Sequence, residues 1–135
     1  MSTIVNGGTR YRAYLLDSVK KFYTGEVIYS QRAEVLNTVE FSDETYDILI
    51  EGMKQVVEGS DTLTRNFRNV SVTVGGKTGT AEVSGKRANA LFSGFAPLDD
   101  PEIVVTCIVE EGEAGSRVSA AVARVMEEYF KKDSE

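Results

Sequence analysis

The sequence predicts an α+β fold, an antiparallel β-sheet flanked by helices. Three observations carry that expectation. Apolar residues recur at helical spacing in the middle of the chain and again near its end, extended segments bounded by turn residues lie between the two, and the last of these segments is almost wholly apolar. With 135 residues, 41% of them hydrophobic and 27% charged, the composition is that of one small soluble domain or part of a larger one.

The elements follow in order from local chemistry. Asn6-Gly7-Gly8 is a turn signal. Tyr14 to Val19 and Glu26 to Tyr29 read as short strands on either side of Thr24-Gly25, a hairpin pattern. A helix is predicted from Asp43 to Glu58: Ser42 caps it, Asp43 and Glu44 suit the positive end of its dipole, and Gly59 ends it. Tyr46, Leu49, Ile50, Met53, Val56 and Val57 would form its buried stripe. The polar run from Gly59 to Asn69 reads as a loop. Strand character begins at Val70 to Val74 and, past Gly75-Gly76, continues from Lys77 to Val83. Ser84-Gly85 marks a turn, Ala88 to Phe95 a second strand, Pro97 with Asp99-Asp100-Pro101 another turn, and Ile103 to Val109 a third strand. The apolar character of this third strand predicts burial on both faces. After the Glu110 to Gly115 loop, a last helix carries Val118, Ala121, Val122, Val125, Met126 and Tyr129 as its stripe. The C-terminal half thus reads as a three-strand meander with an amphipathic helix returning across it.

Composition narrows the chemistry. The absence of histidine excludes Ser-His-Asp and Cys-His catalysis and the common histidine-containing zinc sites within this chain. A net charge of −6 and a pI near 4.8 argue against nucleic acid as a partner. The single cysteine, Cys107, sits in an apolar run and reads as a buried, inert thiol. No apolar stretch approaches the length of a membrane span and nothing at the N-terminus reads as a signal peptide, so the segment is expected to be soluble, with any membrane anchor upstream of it. Asp99-Asp100 and Glu110-Glu111-Glu113 lack the alternation of a calcium loop and read as solvated turn carboxylates. Tyr11, Tyr14, Phe22 and Tyr23 read as half-buried strand aromatics rather than a carbohydrate platform.

One stretch carries chemistry: Gly75-Gly76-Lys77-Thr78-Gly79-Thr80-Ala81. Read as a phosphate-binding P-loop, it fails at Ser71, where the pattern wants its first glycine, and fails again downstream, because a turn follows where a helix N-terminus must face the phosphates. The second reading is the Lys-Thr-Gly box of serine acyl-transfer enzymes that bind penicillin, which this stretch resembles. The resemblance extends along most of the chain, through Asn6-Gly7-Gly8, Glu51-Gly52-Met53 with Val56-Val57, Phe92-Ser93-Gly94-Phe95-Ala96-Pro97, and Pro101 to Val105 before Val109-Glu110. In order and spacing these segments resemble the closing part of class B penicillin-binding proteins, of the penicillin-binding protein 2 type, the monofunctional transpeptidases that cross-link peptidoglycan.

The resemblance implies a partial β-lactamase/transpeptidase-like fold, with residues 1–135 forming the C-terminal portion of a transpeptidase domain whose helical, nucleophile-bearing part is not represented. It implies that Lys77 supplies positive potential and a hydrogen bond near a catalytic serine, that Thr78 binds the substrate carboxylate, that Gly79 provides clearance, and that the N–H of Thr80 is half of an oxyanion hole. It implies peptidoglycan stem peptides and β-lactams as partners of the intact protein, no cofactor, and a parent held at the outer face of the cytoplasmic membrane. The chain has no Ser-x-Asn or Tyr-x-Asn box, and its one formal Ser-x-x-Lys, Ser18 to Lys21, falls in a strand–turn segment after Asn6-Gly7-Gly8, where the family has already passed its nucleophile. The chain by itself is therefore expected to be inactive and, with Ile103 to Val109 left at an open edge, to self-associate. A non-catalytic module gripping a peptide carboxylate stands as the alternative, and earlier serine and asparagine boxes in the gene would decide against it.

Overall fold

The computed structural model describes residues 1–132. Contacts divide the chain into two compact units, Ser2–Phe41 and the chain from Ser42 onward together with Met1.

The first unit contains helix α1 (Ser2–Val5) and strands β1 (Thr9–Tyr11), β2 (Ser18–Lys20), β3 (Val27–Ser30) and β4 (Val35–Thr38). They form two antiparallel pairs, β1 with β4 and β2 with β3. The Asn6-Gly7-Gly8 turn is present, with Gly8 at φ 97° and its Cα against the Val39 carbonyl, where no side chain fits. The β2–β3 hairpin turns through Gly25 at φ 69° as its sequence indicates, but β2 begins at Ser18, and Tyr14 to Asp17 is not strand. Strands β1 and β4 and helix α1, each of four residues or fewer, are not among the elements the sequence predicts. The aromatics here are not half-buried: Phe22 is 93% exposed and Tyr23 95%, stacked edge-on in the hairpin turn, and Tyr11 and Tyr14 are also exposed. A strand aromatic is buried only where a second layer covers its face, and neither two-stranded pair has one within this unit.

The second unit holds α2 (Asp43–Glu58), α3 (Asp61–Phe67), the sheet strands β5 (Gly75–Ala81), β6 (Asn89–Ala96) and β7 (Ile103–Val109), and α4 (Gly115–Lys132). Helix α2 has the predicted limits: the Ser42 side chain accepts from the Thr45 N–H, and the Gly59 N–H bonds the Gln55 carbonyl. The predicted loop after it contains a helix. Ser60 caps α3, and Leu63 and Phe67, one turn apart, are buried, so tertiary packing sustains a seven-residue helix too polar to announce itself. Val70 to Val74 is not strand, and β5 ends at Ala81 rather than Val83.

The sheet is antiparallel in the order β5-β6-β7, the predicted meander, and α4 packs across it. Its core side gathers Phe92, Ala90 and Ala96 of β6 against Val118, Val122 and Met126 of α4, with Leu63 and Phe67 of α3 closing the end. Two expectations are corrected here. After Gly115, the buried residues of α4 are Val118, Ser119, Val122, Ala123, Met126 and Phe130, while Ala121, Val125 and Tyr129 face outward. Strand β7 is covered on one face only: Val105 and Cys107 pack against the core, so the thiol is half-buried, whereas Ile108 is 60% exposed. The buried Ser119 hydroxyl is satisfied, donating to the Ser116 carbonyl and receiving the Asn66 amide at 2.9 Å, which ties α3 to α4.

One buried position on β6 and one exposed position on α4 separate these roles. Phe92→Ala is expected to lower unfolding free energy by about 3–5 kcal/mol, and Val125→Ala by no more than about 0.5 kcal/mol, in urea titrations followed by circular dichroism. Equal losses would place α4 on the sheet by its other face.

Candidate functional site

Side chains alternate along β5, and the rung partners fix which face each takes. Thr78 pairs with Phe92, Thr80 with Ala90 and Gly76 with Gly94. A side chain at Gly94 would lie 3.3 Å from Met126 of α4, so Gly76, Thr78 and Thr80 share the α4 face. Lys77, paired with Ser93, and Gly79, paired with Leu91, take the opposite face. Lys77 is exposed, and its ammonium donates to the Thr78 carbonyl at 2.8 Å.

Because β5 is an edge strand, one row of its backbone groups is not engaged by β6. Groups two residues apart point the same way, so the Thr78 carbonyl reached by Lys77 and the Thr80 N–H lie on one side of the strand. The hydroxyl-bearing side chains of Thr78 and Thr80 line a cavity of about 440 Å³ with Gln55, Ser60 and Ser116. The sequence did not point to Gln55, Ser60 or Ser116; no local signal links residues so distant along the chain. On the Lys77 face, the next two members of its rung, Ser93 and Thr106, share a hydroxyl hydrogen bond at 2.7 Å.

The two glycines before the lysine are explained by crowding. A methyl at Gly76 would come within 2.6 Å of the Phe92 ring, and one at Gly75 would overlap the Phe95 ring. They open a buried strand end, not a phosphate cradle; the chain continues through the Ser84-Gly85 turn into β6, with no helix. The P-loop alternative is thereby excluded. Ser18 lies in β2 opposite Ser30, not at a helix N-terminus, and Lys21 is paired with Glu26 at 2.6 Å. Of the acidic turn residues, Glu113 is engaged by Arg87 at 3.2 Å and Arg117 at 2.7 Å.

An edge strand carrying Lys-Thr-Gly, buttressed by a C-terminal helix across a three-strand meander, defines a class of protein, and comparison with known proteins agrees. Residues 1–127 match the family described as penicillin binding protein transpeptidase domain, and the chain belongs to that family. Among curated relatives, penicillin-binding protein 2B of Streptococcus pneumoniae serotype 2 (strain D39) is 34% identical over 119 residues, covering 80% of this chain and 18% of that protein. Peptidoglycan D,D-transpeptidase MrdA of Haemophilus influenzae is 33% identical over 95 residues, 58% of this chain and 15% of that protein. The chain thus spans about a fifth of the length of the curated relatives it matches. Among solved structures, penicillin-binding protein 2B of S. pneumoniae strain R6 superposes with a TM-score of 0.71 at 28% identity, over 97% of this chain and 23% of that one. Penicillin-binding protein A of M. tuberculosis, in its imipenem acyl-enzyme complex, gives 0.68 at 26% identity, over 90% of this chain and 28% of that one.

Packing at the start of β5 is testable. Gly76→Ala is expected to cost about 1–3 kcal/mol, since the Phe92 ring has nowhere to move. Gly79→Ala, whose methyl meets only the Leu91 side chain at 3.2 Å, should cost less. The reverse order in urea unfolding would contradict the register given for β5 and β6.

Proposed function

We propose that this chain supplies the substrate-binding strand of a peptidoglycan D,D-transpeptidase that binds penicillin, with Lys77, Thr78, Gly79 and Thr80 as its part of the cleft. The observation that carries this reading is that the tetrapeptide lies extended on an edge strand, with its ammonium and its hydroxyls on opposite faces of one open backbone edge. An acyl-D-alanyl-D-alanine stem, or a β-lactam in its place, adds along that edge as a further strand. Lys77 supplies positive potential to the reacting serine and the substrate carboxylate, Thr78 donates its hydroxyl to that carboxylate, and Gly79 keeps the approach clear. The Thr80 N–H meets the oxygen on which negative charge develops as the serine attacks. Family membership, and relatives named as a D,D-transpeptidase and as a β-lactam acyl-enzyme, support it.

The reacting serine and the second oxyanion donor come from sequence other than these 135 residues, so the chain by itself binds without acylating. None of the described helices is long and apolar enough to cross a membrane. On this reading the intact protein works at the outer face of the cytoplasmic membrane, held by an anchor outside this sequence.

Two experiments test these readings. Titrating the isotopically labelled chain with a peptide ending in D-alanyl-D-alanine should move the amide resonances of residues 77–80, with affinity falling about tenfold in Lys77→Ala as a charge-assisted hydrogen bond is lost. A fluorescent penicillin should leave no covalent label, and labelling at Ser18 would overturn the assignment. The open edge and bare face of β7 also lead us to expect self-association of this chain. Sedimentation at rising concentration should show it, and a strictly monomeric species at high concentration would refute it.

A further inference from the structure

The connection from β7 into α4 ends directly on the proposed donor. Gly115 opens α4, and its φ is not in the left-handed region, so the chain does not need glycine there for conformation. It needs glycine for space. A methyl at Gly115 would collide with the Leu91 carbonyl oxygen and lie 2.9 Å from the carbonyl oxygen and 3.0 Å from the nitrogen of Gly79. All three atoms are backbone on one rung of the β5–β6 ladder, so no rotamer change can make room. The Gly79 carbonyl and the Thr80 N–H belong to the same planar peptide unit. Whatever displaces that carbonyl therefore turns the Thr80 N–H with it.

The preceding loop is built around the same seat. Glu111 and Glu113 take left-handed conformations, at φ 55° and 68°, while Gly112 beside them does not. The glycines stand where room is short: a methyl at Gly112 would approach the Ala90 and Val109 side chains to 2.9 and 3.1 Å. The Glu113 N–H bonds the Ala88 carbonyl at 2.9 Å, and the Glu111 N–H bonds the Asn89 side chain at 3.0 Å. The Glu113 carboxylate is held by Arg87 from the approach to β6 and by Arg117 from the first turn of α4. Loop and helix start are fastened to the beginning of β6, next to Ala90, the rung partner of Thr80.

We propose that Gly115 is a positioning residue for the oxyanion donor: by lacking a side chain it lets the first turn of α4 bear directly on the Gly79–Thr80 peptide and fix the aim of the Thr80 N–H. This rests on the reading of Thr80 given above, and the test separates the two. In the full 135-residue chain, Gly115→Ala should shift the Gly79 and Thr80 amide resonances and weaken binding of a peptide ending in D-alanyl-D-alanine by up to about tenfold, the scale of one lost hydrogen bond. Gly52→Ala, with nothing within 4 Å on the exposed side of α2, should do neither. Where Gly115→Ala fails to fold by circular dichroism, Glu113→Gly takes its place: glycine suits that conformation, and both arginine anchors are lost, so the same two amides should move. A folded variant whose Gly79 and Thr80 resonances stay at their wild-type positions, or whose folded fraction binds the peptide as tightly as wild type, overturns the proposal, since a merely structural glycine would lower the unfolding midpoint and leave that affinity unchanged. Should the wild-type chain not bind the peptide, the functional reading fails while the amide shifts still decide the role of Gly115.

Discussion

The placement of β5 depends on one ring. Phe92, fully buried on the middle strand, is the rung partner of Thr78 on one side and Cys107 on the other. Its ring packs on Phe67 at 5.5 Å and fills the space that side chains at Gly76 and Gly94, the next pair on that face, would need. An edge strand has ladder hydrogen bonds on one side only, so its position must be fixed from its covered face. Here a helix-backed aromatic and two absent side chains fix it, and the Gly-Gly before the lysine and the Gly between the phenylalanines become parts of one contact.

From that contact the division of the site follows. With Thr78 held on the rung of Phe92, alternation sends Lys77 to the opposite face and brings Thr80 back to the first. Charge and hydroxyl therefore straddle the open edge, and a ligand laid along the strand meets both without crossing the sheet. The first residue of α4 lies against the same rung, at Gly79 and Leu91, so the strand is held by the ladder to β6 and backed there by the start of a helix.

The unit formed by Ser2–Phe41 is held by other means. Its two antiparallel pairs bury little apolar surface, and its best-defined side-chain contact is the two-bond fork of Arg12 on the Glu34 carboxylate, at 2.7 and 3.0 Å. That hydrogen bond, with the charge behind it, holds the Glu34 carboxyl below the ordinary glutamate range and raises the Arg12 guanidinium. Both groups are more than half exposed, so the pair sets the alignment of β1 with β4 more than it stabilises the fold.

What the amino-acid sequence determined by itself are the features whose causes act within a few residues. The limits of α2 come from Ser42 and Gly59, the turn at Ser84-Gly85 from its glycine, the limits of β7 from its apolar run, and the extended Lys-Thr-Gly strand from the absence of any helix signal after it. Tertiary structure alone decided which side of the apolar stripe of α4 is inside, because Val118, Val122 and Met126 lie beside Ala121, Val125 and Tyr129 on the helix, and it is the first row that packs in the core with Phe92 and Phe67. It alone made a helix of Asp61–Phe67, whose Leu63 and Phe67 are worth ordering only over a core. It also set Gly115 on Gly79 and gathered Ser60, Thr78, Thr80 and Ser116 around one cavity. Capping and turn preferences are local free energies, whereas burial belongs to a pair of surfaces, and the second surface lies far away in the chain.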